Sequence, residues 1–134
     1  MADAIRVAIE QVSAFTSEAS IRQHRVLVDR PAAKGGTDAG PMGGELFLAA
    51  VGGCFMSNLL AAAAARGVVL AGARTEVIGT LADVAPARFA AVELRVSADC
   101  QDRELFQKLV EVAERGCIMV NTLRGPVTLT VTAA

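Results

Sequence analysis

The sequence is poor in the residues that build metal and nucleic-acid sites. It has one histidine, His24, and three cysteines, Cys54, Cys100 and Cys117, with no close pair among them. Structural zinc sites use closely spaced Cys or His pairs, so the sequence argues against one. The 13 basic and 14 acidic residues nearly balance, and no basic run stands out. Nucleic acid is therefore not an expected partner.

An export signal is also missing from the first residues. Asp3, Arg6 and Glu10 interrupt the apolar residues there, unlike the uninterrupted apolar core of a signal peptide. We therefore expect a cytoplasmic protein whose cysteines are thiols in a reducing compartment rather than a disulfide framework.

Apolar residues, in contrast, are abundant. They form 53% of the 134 residues, and the mean hydropathy is +0.45. One small domain has too little interior to hide so much apolar surface, so the composition predicts a homodimer. Residues 46–65 carry no charge and are long enough to cross a bilayer. Their many small residues, and the absence of aromatic belts or flanking basic clusters, instead predict a buried helix and no membrane contact.

The pattern of apolar residues predicts an α+β fold with a largely antiparallel sheet, in one domain over residues 1–134. Predicted strands cover residues 5–10, 15–21, 25–29, 68–84, 89–98 and 127–131, and a helix over residues 3–15 is an alternative to the first strand. Residues 34–44 are a glycine-rich loop. Predicted helices run from about Glu45 to Arg66, ended by Gly67, and from Asp102 to Gly116, with a short turn or helix from Cys117 to Leu123.

Three passages resemble the OsmC/Ohr superfamily of hydroperoxide reductases, particularly its shorter OsmC-like subgroup. They are residues 22–31 (RQHRVLVDRP), residues 35–41 and 44–54 (GGTDAGP and GELFLAAVGGC), and residues 117–123 (CIMVNTL). Their order and spacing cover nearly the whole chain. The resemblance implies an intertwined homodimer in which antiparallel sheets wrap central helices and the active sites lie at the subunit interface.

The resemblance also implies a peroxidase cycle and its residues. Cys54 matches the cysteine that attacks the hydroperoxide, and Cys117 matches the second cysteine, which resolves the sulfenic acid to a disulfide. An external dithiol, such as a lipoyl-type reductant, would then restore the thiols, with no bound cofactor or metal. Glu45 matches the glutamate that enters the cysteine helix. Arg22 is the candidate for the catalytic arginine, with Arg25 and Arg30 as alternatives.

The chain departs from the family pattern at two places. Gly43 and Gly44 stand where a proline usually precedes the glutamate, and Ile118 follows Cys117 where proline is common. The long hydroperoxide reductases also carry their glutamate one residue earlier, at the position of Gly44. These departures bear on peroxidase efficiency more than on the fold.

Each candidate residue has a simpler structural interpretation. Cys54 and Cys117 could be ordinary buried thiols, and Glu45 could be a carboxylate favoured by the helix dipole. An arginine in a turn, such as Arg22, is usually only solvated. Cys100 lies outside the matched passages and is interpreted as incidental, and His24 as structural or at the surface. A Cys–His–Glu acyl-transfer triad lacks a supporting motif.

Two functions follow from these residues. The first is a thiol peroxidase for a small hydrophobic hydroperoxide, because Phe47, Phe55, Met56 and Met119 are expected to line an apolar site. The alternative is an OsmC-like dimer with little peroxidase activity that binds a small apolar or thiol ligand.

Thiolate chemistry needs a group that lowers the thiol pKa. Glu45 precedes Cys54 by nine residues, about two and a half helical turns, so the two cannot touch along one helix face.

Overall fold

The computed structural model describes residues 3–134. They form two compact units, of which the first ends at Phe47 and the second begins at Leu48. Both sheets are antiparallel, and the strands do not alternate one for one with the helices. The predicted α+β class is therefore confirmed.

The first unit is built on a three-stranded meander. Strands β1 (Ala8–Gln11), β2 (Ser17–Ile21) and β3 (His24–Val28) lie in the order β1-β2-β3. Ala19 of β2 pairs with Ile9 on one side and Val26 on the other, and it is buried. The predicted meander is confirmed, and the alternative of a helix over residues 3–15 is wrong because residues 8–11 pair with β2.

Helix α1 (Gly43–Ala65) begins two residues before its predicted start. The carbonyl oxygen of Met42 accepts from Leu46 N–H at 2.9 Å, and the backbone N–H of Met42 donates to Glu45 Oε1 at 2.8 Å. This is the carboxylate half of a capping box, in which the third helical residue satisfies the N–H of the cap. Gly43 and Gly44 therefore belong to the first helical turn rather than to the loop.

The end of α1 matches the prediction. Gly67 has a left-handed backbone with a φ of 66°, which glycine adopts without a steric penalty. Val68 N–H then bonds to Ala63 O at 2.9 Å, and Gly67 N–H to Ala64 O at 3.0 Å. These two backbone hydrogen bonds are typical of a helix that ends at a glycine.

The second unit packs a hairpin and two further helices on the rest of α1. It contains β4 (Ala71–Leu81) and β5 (Phe89–Asp99), which pair antiparallel, then α2 (Arg103–Gly116) and α3 (Ile118–Arg124). Asp102 caps α2 by accepting from Leu105 N–H at 3.0 Å. The core cluster joins α1, α2 and the residue that links α2 to α3: Phe55, Leu59, Ala62, Ala63, Leu109, Ala113 and Cys117.

Helix α1 is a core helix, as predicted, although its length and composition alone would let it cross a membrane. Val51, Phe55 and Leu59 are almost entirely inaccessible to solvent. One residue of α1 approaches β4 very closely: a Cβ at Gly52 would lie 2.6 Å from Cγ2 of Val77. Glycine therefore permits this helix–sheet distance.

The predicted strand over residues 127–131 is wrong for the described chain. Residues 126–134 form no helix or strand, and Val127, Leu129 and Val131 are 64%, 85% and 90% exposed. The alternating apolar pattern is typical of a strand, but a strand also needs a hydrogen-bonding neighbour. Within residues 3–134 no strand pairs with this segment.

Candidate functional site

Cys54 and Cys117 come together inside the second unit. Cys54 lies on α1 and is partly buried against the core cluster, of which Cys117 is a member. Cys117 is the residue between α2 and α3 and has no solvent-accessible surface. The two thiols share a side-chain hydrogen-bonding interaction. Residues 63 positions apart in the sequence therefore form one site.

The surroundings of Cys54 favour its thiolate. Burial by itself raises the pKa of a thiol, because it disfavours the charged form. Here hydrogen bonds from Met119 N–H, from the Cys117 side chain and from Ile118 N–H oppose burial, and the pKa of Cys54 is lowered below its ordinary value. Both backbone donors belong to the first turn of α3, where N–H groups have no partner within the helix.

Cys117 shifts in the opposite direction. Burial raises the pKa of its thiol, and the interaction with Cys54 raises it further, whereas N–H groups of Val120 and Met119 act against this. A thiol that donates to a neighbouring thiolate keeps its proton. Cys54 is therefore the thiol that ionises first, and Cys117 is its protonated neighbour.

The side chain of Asn58 also reaches Cys54. Asn58 follows Cys54 by one helical turn of α1, and its Nδ2 donates to Cys54 O at 2.9 Å and lies 3.9 Å from Cys54 Sγ. The sequence contained a signal for this contact, because residues four apart on a helix share a face. The N–H donors of α3 had no such signal, since backbone groups are common to every residue.

This arrangement suits nucleophilic thiol chemistry followed by disulfide formation. A thiolate is the reactive form of cysteine, and a second thiol beside it can displace the product of the first reaction. Cys54, Cys100 and Cys117 are all free thiols. Within residues 3–134 no group of three or more His, Cys, Asp or Glu side chains could hold a metal ion.

The other predicted residues lie outside this thiol pair. Glu45 lies in the first unit and caps α1. Arg22 occupies the turn between β2 and β3, where it is exposed and has a φ of 54°. Three further residues of the first unit are also exposed: His24, Arg25 and Arg30. In the second unit, the Cys100 thiol donates to Asp102 O at 3.5 Å. The structure thus gathers Cys54 and Cys117 in the second unit, while Glu45 and the arginine candidates belong to the first.

A cavity in the second unit shares helix α3 with the thiol pair, although neither cysteine lines it. It measures about 330 Å³ and is lined mainly by α1, β5 and α3: Val51, Phe89, Val92, Leu94, Val120 and Leu123. Val120 N–H also interacts with Cys117, so the cavity and the pair share the first turns of α3. Arg124 also lines the cavity, and its Nη1 pairs with Glu114 Oε2 at 2.6 Å. The residues expected to line an apolar site, Phe47, Phe55, Met56 and Met119, do not line this cavity. Phe55 is in the core cluster, and Met56 and Met119 pack against it.

Comparison with protein families places this arrangement among known proteins. The family of OsmC-like proteins matches residues 35–132, which include both cysteines. The chain belongs to the OsmC-like protein family. No curated protein sequence matches it.

Solved structures of OsmC-like proteins have the same fold. An OsmC-like protein from Mycoplasma pneumoniae superposes with a TM-score of 0.77 at 16% identity, over 93% of this chain and 90% of that one. The organic hydroperoxide resistance protein OhrB of Bacillus subtilis gives 0.67 at 23% identity, over 90% of each chain. An organic hydroperoxide resistance protein from Elizabethkingia anophelis gives 0.70 at 20% identity, over 93% and 91%. The predicted membership of the OsmC/Ohr superfamily is confirmed.

Proposed function

We propose that this OsmC-like protein is a thiol-dependent peroxidase that reduces organic hydroperoxides. The observation that carries the proposal is the contact of Cys54 with Cys117 and the opposite shifts of their pKa values. A peroxidatic cysteine must be ionised to attack, and a resolving cysteine must wait beside it. Cys54 suits the first role and Cys117 the second.

The proposed cycle has three steps. The Cys54 thiolate attacks the terminal oxygen of ROOH, the O–O bond breaks, and the alkoxide takes a proton to leave as ROH. Cys54 is then a sulfenic acid, and the Cys117 sulfur attacks it, forms the disulfide and releases water. An external dithiol, of lipoyl type or similar, reduces the disulfide by thiol–disulfide exchange and becomes oxidised itself.

An organic hydroperoxide fits this site better than hydrogen peroxide. The cavity that shares α3 with the pair is lined mainly by apolar side chains, and burial of an alkyl group contributes roughly 0.8 kcal/mol for each CH₂. Hydrogen peroxide has no such group. Structural relatives from Bacillus subtilis and Elizabethkingia anophelis are named as organic hydroperoxide resistance proteins, in keeping with this substrate class.

We propose that an arginine polarises the O–O bond, with Arg22 as the candidate and Arg25 and Arg30 as alternatives. Glu45 would hold that arginine through a carboxylate–guanidinium contact. Its Oε1 already accepts from Met42 N–H, which leaves Oε2 for the guanidinium. The capping role and the catalytic role of Glu45 are thus compatible.

A cytoplasmic homodimer completes the proposal. Large apolar side chains stay exposed in both units, among them Ile5 and Val7 in the first and Leu129 and Val131 in the second. Exposed apolar surface on this scale is typical of an association surface. The three free thiols suit a reducing compartment.

The direct test treats the reduced protein with equimolar cumene hydroperoxide and maps the thiols by mass spectrometry. We expect rapid loss of the Cys54 and Cys117 thiols and appearance of a Cys54–Cys117 disulfide, together with the corresponding alcohol. Hydrogen peroxide at the same concentration should react more slowly.

Three variants control this test. Cys54→Ser should abolish the reaction, and Cys117→Ser should stop it at a sulfenic acid that a dimedone probe captures. Cys100→Ser should behave as the parent protein. Slow oxidation of all three cysteines at similar rates would contradict the proposal.

The alternative function is binding of a small apolar or thiol ligand with little turnover. The cavity of about 330 Å³ is within the range of small-molecule sites, and Ile118 replaces the proline common after the second cysteine. Under this alternative, cumene hydroperoxide would not oxidise the pair rapidly, and a ligand would raise the unfolding temperature without being consumed.

A further inference from the structure

Besides the two cysteines, the site contains a polar side chain, that of Asn58. Asn58 is half-buried on α1, although asparagine favours a helix interior less than leucine or alanine does. Its Nδ2 lies 2.9 Å from Cys54 O and 3.9 Å from Cys54 Sγ. A half-buried amide needs partners, and a thiolate is a stronger acceptor than a neutral thiol.

The other end of the same carboxamide faces the residue before Cys117. A Cβ placed on Gly116 would lie 3.0 Å from Asn58 Oδ1, closer than a carbon and an oxygen normally pack. Gly116 ends α2, and its φ is not among the positive values. Its backbone would therefore accept alanine, which is the better helix former. Glycine here leaves room for the Asn58 carboxamide.

We infer that Asn58 is a positioning residue for Cys54: its carboxamide donates to the Cys54 sulfur and fits against Gly116, which holds the thiol facing Cys117. The inference rests on the proposed function only in that it concerns the same thiol. It places a side-chain donor 3.9 Å from the sulfur, in addition to the N–H groups of Ile118 and Met119 that lower the pKa of Cys54. It also gives Gly116 a role through its lack of a side chain.

The test measures the pKa of Cys54 from the pH dependence of its iodoacetamide labelling, followed on the Cys54 peptide by mass spectrometry. Asn58→Leu keeps the size and removes the donor. We expect the pKa of Cys54 to rise by about 0.5 to 1, so that labelling at a pH below the pKa slows about threefold to tenfold. Asn58→Asp places a carboxylate beside the thiolate, and we expect a rise of about 1 or more.

Matched controls come from Asn121. Its Nδ2 donates to Arg115 O at 3.1 Å, also at the α2–α3 junction, but it is exposed. Asn121→Leu and Asn121→Asp should leave the labelling profile of Cys54 unchanged. Gly116→Ala offers an independent route, because it crowds Oδ1 while improving helix propensity. It should raise the pKa of Cys54 while the far-UV circular dichroism stays that of the parent protein.

The outcomes separate this inference from the peroxidase proposal. A change of less than about 0.3 in the pKa of Cys54 in Asn58→Leu would overturn the inference, whether or not hydroperoxide is reduced and whatever Asn58→Asp does, because the added carboxylate acts through its charge alone. Equal rises in the Asn58 and Asn121 variants would overturn it too, since they indicate general loosening. If the pKa rises only in the Asn58 and Gly116 variants, the inference stands even if the parent protein consumes no hydroperoxide. If an Asn58 variant fails to fold, the pKa of Cys54 in Gly116→Ala is the test: a rise supports the inference, and an unchanged pKa overturns it.

Discussion

Cys54 and Cys117 show how their surroundings shift the pKa values of two chemically identical side chains in opposite directions. Both are shielded from water, which by itself raises a thiol pKa. Only Cys54 receives enough hydrogen bonds to reverse that effect, from Met119 N–H, Cys117 and Ile118 N–H. The hydrogen bonds that Cys54 receives from the start of α3 therefore favour its thiolate over that of Cys117.

The first prediction follows from these opposite shifts. At pH 7 we expect iodoacetamide to label Cys54 faster than Cys117, by about tenfold or more, because labelling follows the thiolate fraction and the access of each thiol. The pKa of Cys54 is lowered and that of Cys117 is raised, so the ratio should shrink as the pH rises above both. Mass spectrometry of the labelled peptides measures the rates. Labelling in urea should remove the difference, and equal rates in the native protein would contradict the assignment.

Asp29 is a second residue whose surroundings fix its charge. Its carboxylate accepts from Thr37 Oγ1 at 2.5 Å, from Ala39 N–H at 3.1 Å and from Thr16 Oγ1 at 3.0 Å, and it also accepts from the N–H groups of Thr37 and Arg30. These bonds, that from the Thr37 side chain most of all, outweigh burial and hold the pKa of Asp29 well below its usual range. The loop that leads to α1 is thus fastened to the end of β3.

The second prediction concerns stability against acid. A carboxyl group with a lowered folded pKa stabilises the fold at pH values above its unfolded pKa of about 3.9, and this stabilisation is lost as the pH falls toward the folded pKa. Asp29→Asn should therefore lower the free energy of unfolding at pH 7 and have a smaller effect near pH 2.5. Urea unfolding followed by far-UV circular dichroism measures it, since the chain has no Trp or Tyr. Asp38→Asn, an exposed change in the same loop, is the control, and an equal loss at both pH values would contradict the argument.

At the scale of elements, the closest packing is that of α1 on β4. The Cβ atom absent from Gly52 would lie 2.6 Å from Cγ2 of Val77, which is shorter than any normal carbon–carbon contact. Helix propensity favours alanine at Gly52 by roughly 1 kcal/mol. Overpacking costs about 1 to 3 kcal/mol, so the steric effect should dominate.

The third prediction is a double-mutant cycle on this contact. Gly52→Ala should lower the free energy of unfolding by up to about 2 kcal/mol, the overpacking cost of about 1 to 3 kcal/mol less a gain in helix propensity of roughly 1 kcal/mol. Val77→Ala removes the atom that clashes, and by itself should cost about 1 to 3 kcal/mol through its cavity. In the double variant the loss should be smaller than the sum by about 1 kcal/mol. Additive losses in urea unfolding would show that the two residues do not press on each other.

The sequence predicted best those element boundaries that depend on residues nearby in the chain. The end of α1 at Gly67 and the cap of α2 at Asp102 depend on residues within one turn, and both are present. The strand predicted over residues 127–131 was wrong because no strand within residues 3–134 pairs with it, and the local sequence pattern does not show whether such a partner exists. The contact of Cys54 with Cys117 came only from the family resemblance, since no spacing predicts that residues so far apart meet. Asn58 was missed although its spacing of four residues from Cys54 places both on one helix face, because this spacing does not indicate a function by itself.

On the scale of the whole molecule, the exposed apolar side chains near both ends need a partner. Ile5 is 90% exposed and Val131 likewise 90%, and residues 127–131 alternate apolar residues with threonine in a β-branched sequence that favours strands. The sheet of β4 and β5 has only two strands, and such a sheet has open edges where a further strand can pair. In the proposed homodimer this segment would pair with a second copy.

The fourth prediction tests that role of residues 127–131. The double variant Leu129→Lys and Val131→Lys should raise the dimer dissociation constant by about 100-fold or more, because each apolar side chain contributes roughly 1.5 to 3 kcal/mol when it is buried. Sedimentation velocity across a dilution series should then change from twice the chain mass of 13.8 kDa to that mass itself. Thr128→Lys and Thr130→Lys place the same charges on the alternate face of the segment, where they stay in solvent if only the apolar face packs. If both double variants remain dimeric, the interface lies at other residues. If both dissociate, the added charge, rather than loss of the apolar face, causes the dissociation.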